Sequence, residues 1–204
     1  MQPSRRRLTP LKRSEWSDRT SALLDSLSGS MREIEGEHAS EDPDGDASGT
    51  VNIVRTIAHH EGLLGPFLGF AAALALEGVL SRRVSELLAL RAIWHCRSAF
   101  EWGHHVVFAR AAGLTDEEIQ RIPVGPDHPD WSHEDRLLLR AADELCARQD
   151  LSEETWSALR QTHTDAQLVE IPFVVGQYTM LSMVANATGV PVEEGLEPLP
   201  VAPD

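Results

Sequence analysis

Residues 98–105 read S-A-F-E-W-G-H-H and carry the most informative titratable side chains of the chain. Ser98, Glu101 and His105 are spaced so that, on an α-helix at about 100° per residue, they fall within roughly 60° of one another. A carboxylate and an imidazole one turn apart that face one pocket are the minimum equipment for acid–base chemistry on a carbon acid. The flanking residues are apolar, which predicts a buried helix with a desolvated carboxyl group.

Each of these residues also has a purely structural interpretation. Ser98-x-x-Glu101 is a capping box, in which the serine accepts a backbone N–H bond and the glutamate reaches back. Glu101 and His105 also fit an exposed i,i+4 pair worth a few tenths of a kcal/mol, about 0.2–0.5, and Glu86 fits an exposed helix position. His104 faces about 100° away from His105, so the two histidines do not line one pocket from the same helix.

Outward from this stretch the pattern is helical nearly throughout, and strand patterns are almost absent. The sequence predicts an all-α fold of about seven or eight helices. Helical segments are predicted at 16–34, 51–60, 62–76, 82–96, 98–112, from Thr115, at 133–148, at 152–163, and from Thr164 to about 187, the last interrupted by Pro172.

Length and composition indicate one soluble domain with appendages, since the chain has 204 residues with 42% hydrophobic and 25% charged content. We predict three segments. Residues 1–49 hold a basic tail, a short helix and an acidic flexible loop over 35–49; residues 50–192 form the helical domain; residues 193–204 form a tail.

Charge and cysteine usage exclude several classes of function. A net charge of −14 argues against a nucleic-acid partner. The sequence has no apolar run of 18 residues, so it predicts no membrane span. The two cysteines, Cys96 and Cys146, form no C-x-x-C pair, which with no signal peptide predicts a reduced, cytoplasmic protein. No metal is predicted, because a site with Glu101 and His105 would need His59 or His60 from another segment.

Over residues 52–192 the sequence resembles the carboxymuconolactone decarboxylase family, which shares its fold with the AhpD-type alkylhydroperoxidases. The segments that carry the resemblance are N-I-V-R-T-I-A-H-H, S-E-L-L-A-L-R, F-E-W-G-H-H, A-R-A-A-G-L-T-D-E-E-I, A-A-D-E-L and G-Q-Y-T-M-L-S-M-V-A-N-A-T-G-V. The resemblance implies an AhpD-like helical bundle that needs no cofactor and assembles as a homo-oligomer, from dimer or trimer to hexamer.

The redox branch of this family uses a glutamate followed by C-x-x-C-x-x-x-H. Glu86 matches its glutamate and His105 its histidine, whereas Ser98 and Glu101 stand at the two cysteine positions. Peroxide reduction there needs a thiolate and a resolving thiol. Cys96 lies two positions before Ser98, about 160° away around a continuous helix, so AhpD-type peroxidase activity is the least favoured reading.

The non-redox branch, which resembles lactone decarboxylases, reads Tyr-Glu-Trp-x-x-His at this place. Phe100 replaces the tyrosine, Ser85 stands where many relatives have an arginine, and Arg91 is kept. The resemblance implies that Arg91 binds a substrate carboxylate or pairs with Glu86.

The favoured function is a cofactor-independent lyase or isomerase that acts on a small carbonyl- or lactone-bearing carbon acid. Its predicted catalytic residues are His105, Glu101 and Glu86, with His105 as the proton donor or acceptor at carbon and Glu101 as its partner. The predicted substrate-binding residues are Arg91, Ser98, Trp102 and Tyr178. The alternative is a non-catalytic oligomeric binding or scaffold protein on the same fold.

Overall fold

The computed structural model describes residues 6–35 and 51–201, with side chains over 6–26 and 51–201. In that part of the chain there are nine α-helices, a single 3-10 turn at Arg13–Glu15 and no strand, so the all-α prediction is confirmed with one helix more than expected. The helices are α1 Asp18–Glu35, α2 Asn52–Ile57, α3 Glu61–Leu76, α4 Arg82–Cys96, α5 Ala99–Ala111, α6 Asp116–Arg121, α7 His133–Arg148, α8 Glu153–Leu159 and α9 Asp165–Thr188.

Short polar side chains fix where most of the central helices begin. The N-cap residue accepts a hydrogen bond from the backbone N–H three positions on, which satisfies one of the unpaired donors of the first turn. Seven helices start in this way, at Ser17, Ser81, Ser98, Thr115, Ser132, Ser152 and Thr164. Thr115 also forms a capping box with Glu118.

Two predicted helix features differ from the structure. Helix α9 runs without interruption through Pro172, which lies on its exposed side; the proline removes one main-chain donor there without ending the helix. Helix α8 ends at Leu159 rather than at His163, because the chain closes into tight turns over 160–163.

The predicted N-terminal appendages fall partly outside the described residues. The acidic segment 36–49 lies outside them. The end of the basic tail is docked rather than loose: the N–H groups of Arg7 and Leu8 both donate to the Thr188 carbonyl, and the Leu11 N–H donates to Arg55 O.

By its internal contacts the chain divides into two compact units, one of residues 1–76 with 185–196 and one of 77–184 with 197–204. Helices α2 and α3 belong to the same unit as α1, and the three predicted segments stay a prediction. In the first unit Glu61, at the start of α3, accepts hydrogen bonds from the hydroxyls of Ser17 and Thr20. Its core is apolar, formed by Trp16, Leu24, Ile53, Val54, Leu64 and Leu68.

The second unit is built around α4, which packs most extensively against α7 and α5. Ten successive residues of α4, from Ser85 to Trp94, are buried, so this helix is enclosed on all sides. A helix surrounded in this way positions any polar side chain it carries inside the protein. The largest fully buried apolar side chains of this unit include Leu87, Leu88, Leu90, Ile93, Val106, Leu138, Leu139 and Ile171.

Helix α9 is long and apolar enough, by length and composition, to cross a membrane, but half of its most apolar window is buried within the chain.

Candidate active site

The centre of the candidate site is a hydrogen bond between two buried titratable side chains of α4 and α5. His105 Nδ1 lies 2.7 Å from Glu86 Oε2, and the two side chains are 7% and 1% exposed. An ionised carboxylate only accepts hydrogen bonds, so the Nδ1–H group of the imidazole donates a hydrogen bond to Glu86. The remaining nitrogen, Nε2, is thereby left as the basic position of the ring.

Arg82 holds the other oxygen of Glu86 from the preceding turn of α4. Its Nη2 donates to Glu86 Oε1 at 2.8 Å, while the arginine side chain itself remains 42% exposed. The guanidinium therefore compensates a buried negative charge that would otherwise be costly. Arg82 was not predicted as a site residue, although its i,i+4 spacing from Glu86 was a signal that could have identified it.

Glu101 lies on the other side of the imidazole. Its Oε2 is 3.8 Å from His105 Nε2, within ion-pair range but beyond hydrogen-bond distance. From the sequence, Glu101 was predicted to orient His105 or act as its partner base, and Glu86 to act as an acid either directly or through another residue. In the structure Glu86 is the hydrogen-bonded partner and Glu101 faces the basic nitrogen.

Ser98 is fully buried and serves as the N-cap of α5. Its Oγ accepts the Glu101 N–H at 3.4 Å, so the hydroxyl belongs to the helix start that positions Glu101. Trp102 is also buried, and its ring packs edge to face against Trp94 at a centroid distance of 6.1 Å. Their predicted contacts with a substrate stay predictions.

Aromatic rings pack around the imidazole. The Tyr178 ring on α9 is 4.3 Å from the His105 ring, inclined by 73°, and Phe108 packs edge to face at 5.3 Å. Burial, and then the negative charge of Glu86, raise the pKa of Tyr178 above its usual value of 10.0. The phenol therefore stays protonated at neutral pH and remains a hydrogen-bond donor.

Arg91 lies in a different ion-pair cluster from the one expected. Its Nε and Nη2 donate hydrogen bonds to the two carboxylate oxygens of Asp143 at 2.5 and 3.0 Å, and its Nη1 donates to the Ile122 carbonyl at 2.5 Å. The expected pairing of Arg91 with Glu86 is therefore wrong, because the carboxylate of Asp143 on α7 binds the Arg91 guanidinium through both of its oxygens. The substrate-carboxylate role of Arg91 remains a prediction.

Asp143 also accepts from His95 Nε2 at 2.7 Å. Burial alone would raise the pKa of Asp143, but the hydrogen bonds from His95 and Arg91 outweigh it and hold the pKa below 3.8. The sequence analysis quoted Asp143 only within the segment A-A-D-E-L and gave it no role, because its partner Arg91 is 52 positions away along the chain.

Both cysteines are partly buried and reduced. Burial raises the pKa of Cys96, and burial together with the neighbouring Cys96 raises the pKa of Cys146 to about 11. Low thiolate content makes both poor nucleophiles at neutral pH. Among the described residues, no group of three or more histidine, cysteine or acidic side chains is arranged to hold a metal ion.

The sequence profile of the carboxymuconolactone decarboxylase family matches residues 63–144, the segment that carries Glu86, Glu101 and His105. The predicted resemblance to this family is therefore confirmed. No curated protein matches the sequence.

Solved structures of AhpD-like proteins have the same fold. An uncharacterized peroxidase-related protein from Ralstonia eutropha JMP134, described as an alkylhydroperoxidase AhpD core, superposes with a TM-score of 0.73 at 18% identity, covering 92% of each chain. A peroxidase-related protein from Silicibacter sp. TM1040 gives 0.72 at 17% identity over 95% of this chain and 94% of its own. The debrominase Bmp8 gives 0.72 at 14% identity over 91% of each chain.

Proposed function

We propose that this protein is a cofactor-independent enzyme that moves a proton at carbon in a small carbonyl- or lactone-bearing substrate, as in lyase or isomerase chemistry. The single observation that carries the proposal is the buried pair in which His105 Nδ1 lies 2.7 Å from Glu86 Oε2. Membership of the family supports the reaction class, because the matched segment contains this pair.

In the proposed first step, His105 Nε2 takes a proton from the carbon next to the substrate carbonyl. The two electrons of the broken C–H bond delocalise into the carbonyl and form an enolate. Glu86 keeps the ring in the reactive tautomer and stabilises the imidazolium that results. Glu101, 3.8 Å from Nε2, adds a second negative charge beside the imidazolium.

In the second step the imidazolium returns its proton to the product-forming carbon, or to a leaving oxygen. The protonated phenol of Tyr178, whose ring contacts His105, is the proposed donor to the enolate oxygen. In a decarboxylation His105 must start as the imidazolium, with its Nε2 proton taken from solvent: the C–CO2 bond breaks, CO2 leaves, its bonding electrons delocalise into the carbonyl, and Nε2 then protonates the carbanion. His105 is then an acid only, whereas Glu86, Glu101 and Tyr178 keep the roles given above.

The test is solvent-deuterium incorporation in D2O, followed by proton NMR over a substrate panel. The panel holds a carboxylated enol-lactone, its decarboxylated analogue, small β-keto acids and, because Bmp8 has been solved with 2,3,4-tribromopyrrole, that halogenated pyrrole. We expect exchange or turnover with at least one carbonyl compound in the wild type, lost in His105→Ala by at least about 10²-fold.

The matched control is His104→Ala, the neighbouring half-buried histidine of the same helix, whose ring lies 4.7 Å from that of Phe100. Equal activity of His105→Ala and the wild type, with both folded, would contradict the proposal. An inactive wild type across the panel would favour the non-catalytic scaffold.

Peroxidase-type redox activity is disfavoured by the raised pKa values of both thiols. Full activity in Cys96→Ser would exclude a redox role for that thiol. We also propose that the protein is cytoplasmic, assembles as a homo-oligomer and binds a small-molecule substrate.

A further inference from the structure

Two side chains beside the buried pair carry hydrogen-bond donors that have no acceptor in the part of the chain that the structure describes. Arg82 uses one N–H group, on Nη2, to bind Glu86, and its Nε and Nη1 make no further hydrogen bond there. The hydroxyl of Tyr178 donates to none of the described residues either. Arg91 is a contrast, because its Nε, Nη1 and Nη2 are all bound to a carboxylate or a main-chain carbonyl.

A series of short contacts brings both donors close to the imidazole of His105. Glu86 bridges two of the side chains, with Oε1 2.8 Å from Arg82 Nη2 and Oε2 2.7 Å from His105 Nδ1. Two hydrogen bonds and the width of one carboxylate keep these nitrogens within about 8 Å of each other. The Tyr178 ring lies 4.3 Å from the imidazole. The two donors therefore lie beside the same imidazole, and one short ligand can reach both.

The electrostatics of Tyr178 support this placement of Arg82. Burial and then the negative charge of Glu86 raise the pKa of the phenol, and the positive charge of Arg82 acts in the opposite direction. The guanidinium is thus near enough for its charge to act on the phenol. The Arg82 side chain is also 42% exposed, so a ligand that arrives from solvent can reach its remaining N–H groups.

The chemistry of these donors selects an oxygen that carries negative charge. A guanidinium and a phenol that offer only N–H and O–H groups bind an anionic oxygen more strongly than a neutral one. Glu101 lies 3.8 Å from His105 Nε2 and repels negative charge at that end of the ring. A substrate therefore places its acidic carbon at Nε2 and its oxygen towards Arg82 and Tyr178.

We propose that Arg82 is a second donor to the enolate oxygen of the reaction, acting together with Tyr178. When Nε2 takes the proton from carbon, the electron pair of the C–H bond moves into the carbonyl, and the oxygen gains the charge that the unused Arg82 N–H groups bind. Arg82 Nη2 meanwhile stays on Glu86. Because the charge is absent from the carbonyl and present on the enolate, this contact lowers the barrier. The assignment rests on the proposed function for the origin of the enolate.

The first experiment measures the binding of a stable oxyanion and does not depend on turnover. The probe is 4-nitrophenol, because its phenolate resembles an enolate in charge and absorbs at a different wavelength from the neutral phenol. We expect the wild type to bind the phenolate at least about tenfold more tightly than the uncharged methyl ether, 4-nitroanisole. In Arg82→Gln we expect the phenolate affinity to fall at least about tenfold and the ether affinity to change less than about twofold. A purely structural loss would weaken both probes alike.

Two further variants complete the binding experiment. Arg82→Lys keeps a positive charge beside Glu86 if Arg82→Gln fails to fold, and without the forked guanidinium it should bind the phenolate at least about threefold more weakly than the wild type. Arg110→Gln is the matched control, since it removes an arginine of nearly equal exposure, 41%, that is paired with Asp116 and Glu197; it should leave phenolate binding unchanged. Equal phenolate affinity in the wild type and in whichever Arg82 variants fold would overturn the assignment.

The deuterium-exchange assay separates this inference from the proposed function. In Arg82→Gln we expect kcat for exchange to fall by about 10²-fold while KM stays within about threefold, as for other donors to a developing oxyanion. Unchanged kcat with a raised KM only for substrates that bear a carboxylate would mean that Arg82 binds that carboxylate, and the enolate assignment would be wrong. Phenolate binding that depends on Arg82, in a protein that exchanges no carbonyl compound, would support the oxyanion site and contradict the proposed reaction.

Discussion

At the scale of single residues, the two buried glutamates beside His105 are expected to behave differently when neutralised. Glu86→Gln leaves one amide oxygen for two donors, His105 Nδ1–H and Arg82 Nη2, so the imidazole tautomer is no longer fixed. We expect kcat to fall by about 10²-fold or more with little change in KM. Glu101→Gln removes a charge near Nε2 without changing the tautomer, and we expect a smaller loss, about tenfold.

The readout that separates these roles is the Nδ1 proton of His105. In wild type and in Glu101→Gln, proton NMR should show a strongly downfield Nδ1–H resonance, because the 2.7 Å hydrogen bond is kept. In Glu86→Gln that resonance should move upfield or vanish. A downfield resonance that survives Glu86→Gln would show that Glu86 is not the orienting acceptor.

The side chains of the candidate site were predicted together from the sequence, but their pairing was not. Spacing brought Glu101 and His105 onto one helix face, and the family pattern added Glu86. The hydrogen bond that decides the chemistry joins residues 19 apart, and it depends on how α4 packs against α5. Helical spacing carries no information on that packing, so the nearer carboxylate was taken as the partner.

At the scale of helices, Ser98 offers a test of whether a predicted site residue is structural. Its hydroxyl caps α5 and is fully buried. Ser98→Ala should therefore lower the free energy of unfolding by about 1 kcal/mol, measured by urea denaturation, while kcat/KM stays within about twofold of the wild type, less than the roughly 0.5–1.5 kcal/mol of one hydrogen bond. A large loss of kcat/KM with unchanged stability would instead assign Ser98 to the substrate.

Arg83 joins the first turn of α4 to α6 and to the start of α7. It bonds both oxygens of Asp135, at 2.7 and 3.1 Å, and also the Glu118 carboxylate. The hydrogen bonding that Arg83 donates to Asp135 is the main cause that raises the pKa of Arg83 above its usual value. Arg83→Ala should destabilise the chain by roughly 1–3 kcal/mol, since the charges are partly exposed.

The control for Arg83 is Arg83→Lys, which keeps the charge but not the bidentate geometry. We expect Arg83→Lys to recover less than half of the loss in thermal or urea denaturation. Full recovery would show that a point charge suffices and that the forked geometry contributes nothing.

Helix positions were predicted far better than helix partnerships. The bounds of α4 and α7 were predicted to the residue, because serine caps mark the residues before both helices and apolar residues recur through them. The continuity of α9 through Pro172 was missed, since a proline inside a helical pattern ordinarily marks an end. Pro172 lies on an exposed side of α9, where one lost hydrogen bond is tolerated. Which side is exposed depends on the tertiary structure, and the local sequence pattern does not show it.

At the scale of the whole molecule, the cluster around Asp143 links the stability of the fold to pH. Asp143 is paired with Arg91 of α4, which also donates to the carbonyls of Ile122 and Pro123 beyond α6. The groups that face Asp143 are thus the guanidinium of Arg91 and the imidazole of His95. Because the pKa of Asp143 is lowered in the folded chain, the fold binds its proton more weakly than the unfolded chain does.

The sign of the pH dependence follows from that lowered pKa. The contribution of Asp143 to stability is fully present above the ordinary value of 3.8 and is lost as pH falls through the lower folded-state pKa. Asp143→Asn should therefore cost roughly 2–3 kcal/mol near pH 7, because it leaves the guanidinium of Arg91 without its carboxylate in a largely buried position. The difference between wild type and variant should shrink steadily below about pH 4, near the usual aspartate value.

Urea denaturation of both proteins from pH 3 to pH 8 measures this difference directly. His95→Gln is the control, since it removes one donor to Asp143 while the bidentate pair with Arg91 stays in place; we expect less than half the loss seen for Asp143→Asn. If the difference in the free energy of unfolding between wild type and Asp143→Asn stays constant down to pH 3, the carboxylate charge is not what joins α4 to α7. The destabilisation would then come from packing alone, and the charge cluster would have no part in holding the two helices that carry and support the candidate site.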